Sequence, residues 1–167
     1  MHAHLASGAT AERVSNDTLK LLLPIVATPR SLWGLAYAIR RRDAGQHVSA
    51  LLLFVGEPVV DLHVLRFKTQ EDMRRLRTLH GNSVLDDAAE TLANAGISAA
   101  ASYREGDIAF QILDVAEQVQ CHEIVLPAPH PRWARLLSRD VVRDVLRQQR
   151  GIPVTTVGPG GVPGQFA

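Results

Sequence analysis

The sequence predicts an α/β domain built on an open, mostly parallel five-stranded sheet with helices on both faces. Short apolar runs alternate along the chain with longer segments in which apolar residues recur at helical spacing. The resulting order, βαβαβαβαβ, demands parallel strands joined by right-handed crossovers. Residues 48–55 are apolar on both sides of the strand, as expected where helices cover each face.

The first half of the chain supplies two strand–helix units. Residues 19–26 form an apolar run that predicts the first strand, and Ser31 is predicted to cap the helix that follows. Residues 48–55 predict the second strand. Residues 70–95 predict a long second helix, in which the Gly-Asn pair at 81–82 favours a kink or a break.

The second half completes the sheet. Residues 97–104 alternate between apolar and polar side chains, which predicts a strand at an edge. Asp107 is placed to cap the third helix. Residues 123–126 predict a short buried strand and residues 152–157 predict the last one.

The two ends of the chain differ in composition from the domain at 18–157. Residues 1–17 are polar and small, and residues 158–167 are rich in Gly and Pro, so we expect both to be flexible tails. His2 and His4 lie in the first tail without a third ligand in view, and we therefore expect no metal site.

Composition and charge exclude several classes. The 167 residues carry a net charge of +1, so no strong field directs the protein to nucleic acid or to an anionic membrane. No apolar run is long enough to span a bilayer, and the first residues lack the core of a signal peptide. Cys121 is the single cysteine, which suits a reducing compartment. The expected location is the cytoplasm.

Two loops lie where such a sheet binds ligands, at the carboxyl ends of strands beside the reversal of strand order. One loop follows the first strand at 26–31. The other follows the fourth strand at 127–135 and leads to a last helix that opens at Ser138 or Asp140.

Three segments resemble one known family. They are Leu21-Leu22-Leu23-Pro24-Ile25 followed by Ser31-Leu32, Arg104-Glu105-Gly106-Asp107-Ile108-Ala109 followed by Ile112-Leu113, and Glu123-Ile124-Val125-Leu126 followed by Val145-Leu146 and Pro153-Val154. In order and spacing they resemble the universal stress protein family. The resemblance implies strand order 3-2-1-4-5 and a homodimer paired through the last strand, with Val154, Thr156 and Val157 at the interface.

The resemblance also defines a nucleotide cleft, from which this sequence departs. Val26 stands where nucleotide-binding members carry an aspartate, and Pro127 and His130 replace the first two glycines of their phosphate loop; the third falls near Ser138 or Arg139. The matching cleft positions are Val26, Thr28, Val55, Leu126, Pro127, His130, Arg132, Ser138 and Arg139.

The proline content of this loop argues against a phosphate cradle. A cradle aims backbone N–H groups at the anion, in conformations that often need glycine. Pro127, Pro129 and Pro131 have no N–H to donate. We therefore expect no cofactor and no ATP binding of the usual family kind.

Two other interpretations of the loop stay open. Arg132, Arg135 and Arg139 lie near His130 and could hold another anion through side-chain charge. Alternatively the loop is a solvated basic segment, with Trp133 packed on the sheet edge or serving as a protein contact.

Candidate catalytic groups are few. Cys121 and His122 are adjacent near the start of a strand, so their side chains should point to opposite faces. Ser138, His130 and Asp140 have the residue types of a hydrolase triad but lack the Gly-x-Ser-x-Gly elbow. We expect a non-enzymatic, dimeric stress-response module that acts through contacts with an unidentified protein; the alternative is a sensor that binds ATP, another nucleotide or an anion in the cleft.

Overall fold

The structure is a computed structural model that describes residues 18–26, 28–57, 69–128 and 141–164. Within these ranges five strands alternate with four α-helices. The strands are β1 (Thr18–Pro24), β2 (His47–Gly56), β3 (Ser98–Glu105), β4 (Glu123–Pro127) and β5 (Val154–Val157). The helices are α1 (Ser31–Asp43), α2 (Gln70–Asn94), α3 (Ile108–Gln118) and α4 (Val141–Gln148).

The strands form one sheet in the order β3-β2-β1-β4-β5, and every pair is parallel. This confirms the predicted fold class and strand order. Side chains of α1 and α2 pack in a cluster on one face of the sheet, and those of α3 and α4 pack in a second cluster on the other face. The order reverses between β1 and β4, which are therefore the strands that frame the ligand cleft of such a sheet.

The central position of β1 in the sheet explains why its residues are apolar without alternation. Leu21 and Leu23 pack on the α1–α2 side, whereas Leu22 packs on the α3–α4 side. All three are at most 1% exposed. Because a side chain of this size contributes about 1.5–3 kcal/mol when fully buried, this strand anchors both halves of the core.

The second helix is continuous from Gln70 to Asn94, so the predicted break at 81–82 is wrong. Gly81 is buried, and a Cβ added there would lie 2.8 Å from ring atoms of both Phe54 and Tyr103. These two rings stack with centroids 5.9 Å apart. Gly81 is thus used for close packing of helix on sheet, which a sequence pattern cannot distinguish from a helix break.

Two local predictions are confirmed. The Asp107 side chain caps α3 by accepting a hydrogen bond from the N–H of Phe110 at 2.9 Å. The third strand lies at an edge of the sheet. None of the described helices combines the length and apolar character that crossing a membrane requires.

The predicted flexible C-terminal tail is wrong as far as Gly164. Residues 159–161 form a 3₁₀ turn, and Pro163 pairs with Val157 in an antiparallel bridge. Gly161 is buried. Composition alone misled the prediction, because Gly and Pro also build tight turns that pack on a domain. Residues 1–17 and 165–167, which complete the predicted tails, lie outside the described ranges.

Candidate functional site

The structure describes five of the nine cleft residues predicted from the sequence: Val26, Thr28, Val55, Leu126 and Pro127. Val26 and Thr28 follow β1, and both are exposed. Val55 and Leu126 instead pack in the α3–α4 core cluster, and Leu126 is only 2% exposed, so it is not placed to contact a ligand. The predicted positions His130, Arg132, Ser138 and Arg139, together with Arg135, Trp133 and Asp140, lie outside the described ranges.

The connection from β1 to α1 is closed by a side chain. The Ser31 hydroxyl accepts a hydrogen bond from the N–H of Val26 at 2.8 Å and donates one to its C=O at 2.6 Å. The same C=O also accepts from the N–H of Thr28 at 2.7 Å. Both backbone groups of Val26 are therefore engaged within the protein.

Ser31 does not cap α1 as predicted. The N-cap residue is Arg30, which has helical dihedral angles and makes no side-chain cap bond, and Ser31 is the first helical residue. The difference arises because the Ser31 hydroxyl turns back to Val26 rather than to the helix.

The first backbone N–H groups of α1 are hydrogen-bonded to the turn that precedes the helix. Those of Ser31, Leu32 and Trp33 donate to the carbonyls of residues 28, 29 and 30 at 3.1, 3.2 and 3.0 Å. At an ordinary helix start such groups lack a partner and are available to bind an anion. Here the turn that precedes the helix occupies them.

The carboxyl end of β4 is similarly occupied. Pro127 has no N–H. The N–H of Ala128 donates to the C=O of Val157 at 2.7 Å, which extends the pairing of β4 with β5. Sequence reasoning predicted the effect of Pro127 but missed Ser31 and Ala128, because their roles depend on which backbone groups the fold brings within reach.

A cavity of about 310 Å³ lies beside this end of β1, between α1 and α2. Its apolar lining includes Ile25, Leu35, Val84 and Ala88, and its polar lining includes Thr28, Ser31, Asp87 and Thr91. Asp87 contributes the charged side chain in this lining, and its carboxylate is negative. Because like charges repel at short range, the cavity suits an apolar or cationic group better than a phosphate.

Cys121 and His122 diverge as predicted. Cys121 is 6% exposed, and burial raises the pKa of its thiol. His122 is exposed, and its Nδ1 accepts a hydrogen bond from the N–H of Lys20 at 2.9 Å. A buried thiol with a raised pKa is a poor nucleophile, so this pair has the properties of structural residues.

A buried polar cluster lies at the opposite end of β4. Tyr37 donates to Oε1 of Glu123 at 2.9 Å, and the Arg41 guanidinium lies 3.7 Å from Oε2 of Glu123. Burial, followed by the Glu123 hydrogen bond, raises the pKa of Tyr37. The sequence shows Glu123 only as the first residue of a buried strand; its partners become evident once α1 is packed on the sheet.

The strand predicted to form a dimer is covered by the chain itself. Val157, predicted at the interface, is 0% exposed and belongs to the core. The Thr156 hydroxyl donates to the C=O of Gly164 at 2.8 Å, and the N–H of Gly164 donates to the C=O of Thr156 at 3.1 Å. These bonds occupy groups of Thr156 that the predicted interface would use, and the dimer itself stays a prediction. Val154, the third predicted residue, is partly exposed.

Within the described ranges no group of three or more His, Cys, Asp or Glu side chains is arranged to hold a metal ion. His2 and His4 lie outside those ranges.

No protein-family model matches the sequence, and no curated protein matches it. Solved structures do match. A universal stress protein family structure from Burkholderia pseudomallei is 18% identical, with a TM-score of 0.64, over 83% of this chain and 94% of that one. A universal stress protein from Lactobacillus plantarum is 13% identical, with a TM-score of 0.68, over 83% and 97%.

A third match was solved with AMP bound. It is a universal stress protein family protein from Arabidopsis thaliana, 16% identical with a TM-score of 0.58, and the match covers 84% of this chain and 91% of that one. These similarities agree with the strand order and with the fold that the sequence resemblance implied. The chain therefore has the fold of the universal stress proteins.

Proposed function

We propose that this chain is a universal stress protein-like module that acts in a stress response through protein contacts, without catalysis and without the usual ATP binding of that family. The observation that carries the proposal is the engagement of backbone donors around the cleft. The N–H groups of Val26, Ser31 and Ala128 all have partners within the protein.

Engaged donors weaken phosphate binding for a simple reason. A hydrogen bond to a charged oxygen is worth about 1.5–3 kcal/mol. Where a donor must first leave an internal partner, that gain is offset by the bond that is lost. Three such exchanges remove several kcal/mol from the binding free energy, and each 1.4 kcal/mol is a factor of ten in affinity.

The nucleoside end of the cleft supports the same conclusion. Val26 follows β1 with 41% of its surface exposed, and its side chain has no acceptor for a ribose or base. The adjacent cavity carries the Asp87 carboxylate. Neither feature favours a polyanionic nucleotide.

Exposed apolar side chains support contact with a protein. Leu32 lies in the first turn of α1 and is 57% exposed; Leu76 and Leu79 lie in the first half of α2 and are 47% and 62% exposed. Both helices begin at the carboxyl end of the sheet. Leu76 and Leu79 are three residues apart on α2, so their exposed side chains are neighbours on one face of that helix.

The absence of catalysis and the cytoplasmic location belong to the same proposal. The buried thiol of Cys121 supports a structural role for that residue, and a free cysteine suits a reducing compartment.

A second candidate is a sensor for a nucleotide or another anion. The AMP-bound Arabidopsis structure has the same fold and favours a nucleoside monophosphate, which needs fewer phosphate donors than ATP. Arg30 and the exposed Thr28 hydroxyl offer a positive charge and a donor beside the end of β1.

Thermal unfolding with ATP, AMP and cyclic AMP, each with and without Mg²⁺, tests the nucleotide part of the proposal. A ligand in excess that binds the folded state must raise the Tm. We expect no shift with ATP, with the Arabidopsis protein and AMP as the positive control. A saturable rise with ATP would contradict the proposal, and a rise with AMP alone would favour the sensor.

The protein-contact part needs its own variants. Replacing Leu76 and Leu79 together with Ser should reduce the proteins recovered with the purified chain from stressed cells. Leu146→Ser is the matched control, because Leu146 is 40% exposed but lies on α4. Equal recovery with both variants would contradict a partner surface at the start of α2.

A further inference from the structure

The last strand of the sheet has one side already paired. The N–H of Ile124 donates to the C=O of Pro153 at 2.9 Å, and the N–H of Ala128 donates to the C=O of Val157 at 2.7 Å. Because backbone groups alternate sides along a strand, the groups of Thr156 and Gly158 face away from β4. An uncovered edge of this kind is a template for pairing with another chain.

This outward edge is occupied by residues 158–164, which we call the clasp. The N–H of Gly164 donates to the C=O of Thr156 at 3.1 Å, and the N–H of Gly158 donates to the C=O of Val162 at 2.9 Å. The Thr156 hydroxyl adds a bond of 2.8 Å to the C=O of Gly164. The clasp thus uses the groups that an added strand would need.

The first helix holds the clasp in place. Gly161 is buried with φ +70°, and a Cβ added there would lie 2.2 Å from the backbone nitrogen of Tyr37 and 2.5 Å from the carbonyl carbon of Ala36. Gly160 has almost the same φ, +69°, but a Cβ there would meet nothing within 4 Å. Close contact with α1 therefore depends on Gly161, whereas Gly160 serves only the turn.

We propose that the clasp guards the β5 edge against strand addition by a second copy of this chain. The clasp and a second copy compete for the same backbone groups of Thr156 and Gly158, so both cannot be bound together. The intact chain does not associate through β5, and a chain whose clasp has opened does. This inference is independent of nucleotide binding.

The paired glycines provide a matched test. Gly161→Ala and Gly160→Ala place a side chain at nearly equal φ, but only the first collides with α1. Light scattering on the intact chain, both variants and a chain that ends at Val157 compares their masses. We expect the intact chain and Gly160→Ala to have the mass of one copy, and Gly161→Ala and the shortened chain to have at least twice that mass. The other edge strand, β3, is unchanged in all four proteins. Association through β3 would therefore not produce a difference in mass between them.

Amide hydrogen exchange shows whether the clasp has opened and the domain is still folded. In Gly161→Ala the amides of Gly158 and Gly164 should lose protection, while that of Ala128 stays protected. If those amides exchange freely and Gly161→Ala keeps the mass of one copy, the proposal is overturned. If those amides stay protected in Gly161→Ala, its clasp is still closed, and the chain that ends at Val157 becomes the test. Association of that shortened chain supports the proposal. A shortened chain that has the mass of one copy, with the amide of Ala128 still protected, refutes it.

Discussion

The hydroxyl of Ser31 contacts both backbone groups of Val26, accepting from the N–H at 2.8 Å and donating to the C=O at 2.6 Å. Through this pair of bonds the end of β1 and the start of α1 are joined by the protein's own atoms. The groups that could receive a ligand here are therefore part of the folded framework, and stability and ligand binding at this point are linked.

Ser31→Ala should destabilise the fold by about 1–3 kcal/mol, since it leaves the N–H and one acceptor site of Val26 without their partner in a partly buried place. Urea unfolding with an unchanged m-value measures the loss. Ser83→Ala is the control, because Ser83 is exposed on α2 and should change stability by no more than about 0.5 kcal/mol. Equal effects of the two substitutions would show that the Ser31 bonds contribute nothing.

Gly81→Ala should be destabilising by about 1–3 kcal/mol, even though alanine is the better helix former, because the new Cβ would lie 2.8 Å from the rings of Phe54 and Tyr103. Gly34→Ala is the matched control. It is a buried glycine of α1 whose Cβ would meet only Leu23, at 3.9 Å, so the gain in helix propensity of up to about 1 kcal/mol should remain. Thermal unfolding of both variants compares them. An increase in Tm for Gly81→Ala would refute this account of its packing.

The sequence predicted the fold better than the site. The apolar runs of β1 and β2 and the cap at Asp107 are local signals that predicted the elements, and the family resemblance implied their order in the sheet. The errors at Gly81 and at residues 158–164 have one cause: a glycine is read as a break or a loose segment, although close packing needs it equally. The role of Ser31 could not be predicted, because a serine near a helix start is ordinarily a cap.

The candidate site illustrates the same limit. The resemblance marked Val26 and Pro127 as cleft positions, and their chemistry predicted a poor nucleotide cleft; the structure adds that the neighbouring N–H groups have partners. The bond from Ala128 to Val157 joins residues far apart in the chain. Only the pairing of β4 with β5 brings them together.

Tyr37→Phe should reduce stability at neutral pH by about 1–3 kcal/mol, because it removes the donor that Tyr37 provides to the buried Glu123 carboxylate. The pKa of Tyr37 is raised above its ordinary value of 10.0 by burial and then by Glu123. The stabilisation that the Tyr37 hydroxyl provides is therefore complete below about pH 10, and it is lost as the pH rises through the pKa of Tyr37 in the folded state. Urea unfolding at pH 8 and above pH 10 should show the gap between wild type and variant narrowing. A gap that widens in alkali would contradict this sign.

Cys121 should react with a thiol reagent far more slowly in the native protein than in urea, because burial excludes the reagent and raises the pKa of the thiol. A disulfide-exchange assay follows the rate. Cys121→Ser combined with Ser83→Cys provides an exposed thiol on α2 and should react rapidly. If native Cys121 matches that exposed thiol, the residue is not packed as described.

We propose that the backbone donors at the ends of β1 and β4 stay bonded within the protein when ATP is present. Titration of the isotope-labelled chain with Mg-ATP, followed through the amide resonances of Val26, Ser31 and Ala128, is the sharpest test. We predict that these three resonances stay where they are at millimolar ligand. Saturable shifts of all three at micromolar ATP would contradict the claim and place a triphosphate in this cleft.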